Sequence, residues 1–218
     1  MIPNLAERLR DRTCFLFDLD GTLVDSNACH ERAYLEAFHP RFPELARIFS
    51  YEPCKGRRTR DALRGFGVED EALIAELTEA KQAAYRRLVE AGAITLLPGA
   101  RELLQIFRSR RQRLFLVTGS TARSTRSVLT HLGILDWFEQ IVTADDVVNG
   151  KPAPDCWLAC VERGAISRAD ALVIEDARSG VESSRAAGLD CIVVNNPQLA
   201  ALPEYAGTLE DLLSAIDS

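Results

Sequence analysis

Nowhere in this 218-residue chain does an uncharged apolar run approach the roughly 18 residues that a membrane-spanning helix needs, so no membrane partner is expected. There is no Cys-x-x-Cys pair, and the six cysteines stand scattered at 14, 29, 54, 156, 160 and 191. Such spacing argues against a disulfide framework and for reduced, mostly buried thiols. Cys156 and Cys160 are four apart on an expected helix, where core packing explains them better than a metal, since no histidine or third cysteine has ligand spacing. Surplus positive charge is missing too. A net charge of −6 argues against a general nucleic-acid binder and against an anionic membrane surface. The first twelve residues carry charges and no apolar core, so a signal peptide is not expected and the chain reads as cytoplasmic. Lysine is scarce as well: three residues, at 55, 81 and 151, against 23 arginines. Repeats and low-complexity segments are absent.

What remains is a globular composition, 47% hydrophobic and 27% charged, long enough for one good-sized domain with an insertion. The stretch Cys14-Phe15-Leu16-Phe17-Asp18-Leu19-Asp20-Gly21-Thr22 organises it. An apolar run over about 13–18 predicts a buried strand, and Gly21 and Thr22 turn the chain sharply at its end. Asp18 and Asp20 are thereby left at a strand tip, where open parallel sheets bind their ligands. A lone Asp-x-Asp more often shapes a turn; here two repelling acids call for a cation, and Mg²⁺ with a phosphate is the natural candidate.

Beyond Ser26, a plausible N-cap, a helical pattern with Ala33, Ala37 and Phe38 on one side runs to about Pro40 and Pro43. The segment 27–94 is rich in Ala, Arg, Glu and Leu without β-branched runs, and reads as an all-helical cap over the strand tip. Its clearest helix, Glu69 to Ala91, has an apolar stripe of Leu73, Leu77, Ala80, Ala84 and Leu88 and is closed by Gly92. From Leu97-Pro98-Gly99 onward, helices and strands alternate: helix 100–110, strand 114–117, a helix to about 132, strand 140–143, strand 171–174, helix 178–187, strand 191–194. That rhythm predicts an α/β fold: a Rossmann-like parallel sheet flanked by helices, its core formed by 1–26 and 95–218, with a small helical cap of 27–94.

Three further loops carry groups that turns do not require. Thr118-Gly119-Ser120 offers a hydroxyl and free amides at a helix start, an anion cradle or an ordinary N-cap. Lys151, between Gly150 and Pro152, is a compact cation on a restricted backbone. Glu175-Asp176 ends the most apolar strand, a position packing explains poorly and Mg²⁺ ligation explains well. Together the loops supply a nucleophile, metal acids, an anion cradle and a balancing cation, the inventory for phosphoryl transfer through an aspartyl phosphate.

Asp18-Leu19-Asp20-Gly21-Thr22-Leu23-Val24-Asp25-Ser26, Thr118, Lys151-Pro152-Ala153-Pro154-Asp155 and Glu175-Asp176-Ala177-Arg178-Ser179-Gly180-Val181 resemble, in order, the four motifs of the haloacid dehalogenase superfamily. The nearest likeness is to its β-phosphoglucomutase-like phosphatases, whose helical cap lies between the first and second motifs. Ala177-Arg178 departs from the pattern, where relatives often have a serine and a small or polar residue. The resemblance implies that Asp18 attacks phosphorus and Asp20 serves as acid and base. It further implies that Asp18, the Asp20 main-chain carbonyl, Asp176 and Glu175 (directly or through water) hold Mg²⁺. Thr118, Gly119 and Lys151 would bind the phosphoryl oxygens. In the cap, His30 resembles a hinge histidine, and Lys55, Arg57, Arg58 and Arg60 are candidates for substrate specificity, with an exposed basic face as the alternative. The expected activity is Mg²⁺-dependent hydrolysis of a small sugar or organic-acid phosphate by a monomer or weak dimer. A phosphosugar mutase and a non-catalytic phosphate-binding module are the alternatives.

Overall fold

The computed structural model describes residues 4–39 and 41–216. Its centre is a six-stranded, all-parallel sheet in the order β5-β4-β1-β6-β7-β8. The strands are β1 (Cys14–Phe17), β4 (Arg113–Val117), β5 (Gln140–Val142), β6 (Ala171–Glu175), β7 (Asp190–Val194) and β8 (Tyr205–Gly207). A separate antiparallel pair joins β2 (Val24–Asp25) to β3 (Thr95–Leu96).

The central strands are apolar on both faces because helices cover both. Phe15, Phe17, Leu114, Leu116, Leu172 and Ile174 point into one hydrophobic cluster. Their alternates Cys14, Leu16, Phe115, Val117, Ala171 and Val173 point into the other. On the first side lie α1 (Leu5–Asp11), α6 (Ala100–Ser109) and α10 (Leu209–Ile216), with Phe15 and Phe107 stacked at 3.8 Å between centroids. Helix α7 (Ala122–His131) adds Val128 and Leu129 to that cluster. On the second side lie α8 (Asp155–Arg163) and α9 (Arg178–Ala186).

Between β2 and β3 come α2 (Asn27–Phe38), α3 (Pro43–Ile48), α4 (Thr59–Gly65) and α5 (Glu71–Glu90). They share a third cluster, including Tyr34, Phe38, Tyr51, Leu63, Ile74 and Leu77. Helices α2 and α5 also reach the sheet-side cluster through Cys29, Ala33, Ala84, Tyr85, Leu88 and Val89, so they are anchored in both places. Asp70 caps α5 by accepting from the amides of Ala72 (2.9 Å) and Leu73 (3.3 Å).

Two local expectations change. The buried stripe of α5 is Ile74, Leu77, Lys81, Ala84, Tyr85, Leu88 and Val89; Ala80 is exposed and Leu73 only half-buried. Ser26 stands at the N-cap of α2, but its hydroxyl makes no cap bond and is used on Asp20 instead. Pro40 lies outside the described residues. All six cysteines are buried free thiols. No helix among the described residues is long and apolar enough to cross a membrane.

Candidate active site

Strands β4, β1 and β6 are neighbours in aligned register, Phe17 opposing both Leu116 and Ile174. Their carboxyl ends therefore bring Asp18, Thr118, Glu175 and Asp176 to one level. Asp18 is held by its amide on the Ile174 carbonyl (3.0 Å), and it is only 2% exposed. The Lys151 ammonium reaches Asp18 Oδ1 (2.7 Å), Glu175 Oε1 (2.8 Å) and the Val117 carbonyl (3.1 Å). It also lies 4.4 Å from the ring centroid of the buried Trp157. Burial opposes the charged lysine, yet Asp18 and Glu175 more than offset it and hold its pKa above the usual lysine range.

One ammonium does not balance this cluster. Burial, with Glu175 and Asp20 nearby, pushes Asp18 up to about 8 although Lys151 opposes the rise. Asp176 is raised well above the carboxylate range by burial and by Glu175 and Asp18. Carboxylate oxygens of Asp18, Glu175 and Asp176 all lie within 4.8 Å of one another. A hard, all-oxygen donor set with surplus buried negative charge fits a divalent cation such as Mg²⁺. Glu175 is already occupied on both oxygens, Oε1 by Lys151 and Oε2 by the amides of Asp176 (2.8 Å) and Ala177 (2.7 Å). Asp176 is steadied by Thr22 Oγ1 (3.2 Å) and by Asn196, whose amide donates to its carbonyl (2.8 Å). Gly21 is required beside it: its φ is +89°, and a Cβ there would lie 2.3 Å from Asp176 Oδ2.

Asp20, two residues from Asp18, faces different surroundings. Its Oδ1 accepts from Ser26 Oγ (2.8 Å) and Tyr85 OH (3.1 Å), with His30 Nε2 2.9 Å away. Its Oδ2 accepts from Ser120 Oγ (2.7 Å), with Thr118 Oγ1 at 3.5 Å. Burial alone would raise this carboxyl, but His30 and the Ser120 and Ser26 hydroxyls hold it well below the usual range. Lys81 Nζ lies 2.8 Å from His30 Nδ1. An ammonium has no acceptor, so Nδ1 accepts, and a neutral ring then carries its proton on Nε2, toward Asp20. Burial and the Lys81 charge lower the His30 pKa, favouring that neutral form. The imidazole is stacked between Tyr85 (4.1 Å) and Tyr51 (5.3 Å).

Above the two aspartates, a cavity of about 700 Å³ opens between the strand ends and the helices inserted between β2 and β3. Thr118 and Gly119 line it from the sheet side, and His30, Arg57, Arg58 and Arg60 from the inserted segment. Lys55 does not line it. That side chain pairs with Glu52 (2.7 Å) and borders a separate groove beside Arg178 and Ser179. Arg60 is half-exposed and 3.6 Å from Glu71, whereas Arg58 is bonded to Asp61 and to core carbonyls. Lys81 and Tyr85, which contact His30 and Asp20, escaped the sequence reading. The available signal was a lysine, one of three in the chain, four residues beyond Leu77 on an apolar helix face.

Residues 15–194 match the haloacid dehalogenase-like hydrolase family, and the chain belongs to it. It is 32% identical over 202 residues to validoxylamine A 7′-phosphate phosphatase of Streptomyces hygroscopicus subsp. limoneus, covering 90% of this chain and 92% of that protein. It is 35% identical over 187 residues to hexitol phosphatase A of Escherichia coli, covering 84% and 83%. Among solved structures, a hydrolase from Pseudomonas syringae superposes with a TM-score of 0.80 at 27% identity, covering 94% of this chain and 98% of that one.

Proposed function

We propose that the protein is a Mg²⁺-dependent phosphatase that hydrolyses a small sugar or polyol phosphate through a phosphoryl group held covalently on Asp18. The observation that carries this reading is the pair of carboxylates on one strand tip beneath a cavity of about 700 Å³, set in opposite environments. Asp18 sits against Lys151, Glu175 and Asp176, while Asp20 is held by hydroxyls and by the cap. Phosphatase relatives acting on phosphorylated sugars and sugar-like compounds support it.

Asp18 Oδ, as the carboxylate, attacks phosphorus and the ester oxygen departs. Asp20, held ionised in the free protein by His30 and the hydroxyls around it, takes up a proton as substrate binds and gives it to that oxygen; afterwards it takes one from the water that attacks the aspartyl phosphate, regenerating Asp18 and releasing phosphate. A positioned acid–base of this kind contributes about 10²–10⁴ in rate. The Thr118 hydroxyl, the Gly119 amide and Lys151 receive the phosphoryl oxygens and oppose the charge that develops on them. Asp18, the Asp20 carbonyl and Asp176 would hold the metal, with Glu175 assisting mainly by fixing Lys151. When bound, the metal supplies charge neutralisation between carboxylates and phosphate. The core of 1–26 and 95–218 thus carries the chemistry, and the cap of 27–94 shields it from bulk water.

The test is phosphate release from a panel of sugar, polyol and organic-acid phosphates with Mg²⁺. Release is expected from wild type, lost with chelator and lost in Asp18→Asn, which keeps the shape and removes the nucleophile. Turnover that survives Asp18→Asn overturns the mechanism.

A further inference from the structure

We propose that Arg58 is a clasp that locks the cap onto the core loop leading to Lys151, acting as a positioning residue and not as a substrate contact. The proposal rests on the phosphatase reading above. Arg58 stands at the N-cap of α4, at the cap–core seam. Its Nε and Nη2 donate to the two oxygens of Asp61 (2.6 and 3.2 Å), which fixes the guanidinium plane from within the cap. Its Nη1 crosses to the core and donates to the carbonyls of Val148 (2.7 Å) and Val147 (3.3 Å). All three guanidinium nitrogens are therefore engaged, and the fork is directed at protein atoms.

The loop it grips, 147–150, runs directly into Lys151, whose ammonium holds Asp18 and Glu175. Gly150 makes the grip possible. A Cβ there would lie 2.8 Å from Arg58 Nε, 2.9 Å from Cγ and 3.0 Å from Cδ, so the arginine stem lies flat across a position with no side chain. Two other close approaches mark the same seam. Ser179 Oγ donates to the Lys55 carbonyl at 2.7 Å, and a Cβ on Gly119 would meet the Gly56 carbonyl oxygen at 2.8 Å. Closure thus seats the 55–58 segment on three core loops at once, and Arg58 supplies the charged hydrogen bonds among those contacts.

The experiment is a double-mutant cycle of Arg58→Ala and Gly150→Ala, with Arg58→Lys alongside, on the full chain with Mg²⁺. Cap position is read from the distance between nitroxides on Ile48→Cys and Glu162→Cys. Both positions are exposed, and the six native cysteines are buried. Turnover is read on a sugar phosphate and on methyl phosphate, whose leaving group offers a cap cation nothing to bind. Arg58→Ala and Gly150→Ala are each expected to lengthen the distance and to lower kcat/KM by roughly ten- to a hundred-fold on both substrates. Arg58→Lys, which keeps the charge but not the fork, is expected to behave like Arg58→Ala. Once Arg58 is gone, Gly150→Ala is expected to cost nothing more. The proposal is overturned if Gly150→Ala costs as much without Arg58 as with it, if Arg58→Ala leaves the distance unchanged, or if the loss spares methyl phosphate. Should wild type hydrolyse no phosphate ester, the phosphatase reading fails, and the distances alone still decide the clasp.

Discussion

Replacing Lys81 with methionine separates what this buried lysine does for the fold from what it does for Asp20. Lys81 is 6% exposed, its Nζ is 2.8 Å from His30 Nδ1, and it stands 5.1 Å from the ring centroids of both Tyr34 and Tyr85. Burial lowers its pKa to about 8, so its charge is held against a real desolvation cost. Methionine has nearly the same length and no charge. Removing the ammonium relieves that desolvation, while His30 Nδ1 loses its donor at a cost of about 1–3 kcal/mol. The two effects oppose each other, and net stability is expected to change by no more than about 1 kcal/mol. Activity has no such compensation. Without Lys81 the imidazole is free to change tautomer or to protonate, and Asp20 loses a fixed neighbour on the oxygen it shares with Ser26 and Tyr85. A loss of about 1.4–2.7 kcal/mol of transition-state stabilisation corresponds to roughly ten- to a hundred-fold in kcat. The assays are urea unfolding, steady-state phosphate release, and ¹⁵N resonances of His30 that report which ring nitrogen carries the proton. His30 is held below its usual pKa by burial and by Lys81. The His30 contribution to stability is therefore lost as pH falls below about 6.5, where the unfolded chain takes a proton the folded one refuses, and the variant is expected to lose less of it. A Lys81→Met protein with kcat within about twofold of wild type and an unchanged His30 spectrum would refute the reasoning.

The buried acids Asp18 and Asp176 set a second, opposite pH dependence. Asp18 and Asp176 have raised folded-state pKa values, so without divalent cation the folded chain keeps protons that the unfolded one has released. Their contribution to stability should then fall as pH rises from about 4 to about 8, and the gain in Tm from added Mg²⁺ should be larger at pH 8 than at pH 5; an equal gain at both would count against a site built from these acids. Trp157→Leu should cost more stability than Trp157→Phe by about 0.5–2 kcal/mol, because only the latter keeps an aromatic face under Lys151; equal costs in urea unfolding would remove the cation–π contribution. Gly21→Ala should be among the most damaging single methyl additions, because both its positive φ and the proximity of Asp176 forbid a side chain. A variant with wild-type Mg²⁺ affinity and Tm would contradict the geometry.

Much of this architecture is legible in the sequence. Strands β1, β4, β6 and β7 are largely apolar runs, and the loops after β1, β4 and β6 announce themselves by placing acids or hydroxyls where such a run stops. Strand β8, Tyr205–Gly207, is a three-residue edge without an apolar pattern, and β2 and β3 have two residues each, so pairing and not composition defines them. Helix α5 shows the other limit. Polarity assigns Lys81 to the outside, which shifts the expected stripe to Leu73 and Ala80. The folded chain buries Lys81 because His30 and two tyrosine rings receive it. Partnership across 51 residues of sequence leaves no mark in the local period. The same holds for Ser26, whose hydroxyl looks like a helix cap until Asp20 is seen beside it.

The short antiparallel pairing of β2 with β3 has a mechanical consequence. The chain leaves the core near residue 25 and returns near residue 95, and at that crossing Val24 faces Leu96 and Asp25 faces Thr95. Two independent linkers would let the inserted helices twist, slide and drift. Stitched side by side, they form one ribbon that bends far more easily than it shears, so swinging about a single axis becomes the soft motion. A part hung on such a ribbon returns to the same seat every time, and side chains that must meet across the gap to within a hydrogen bond find each other without a search.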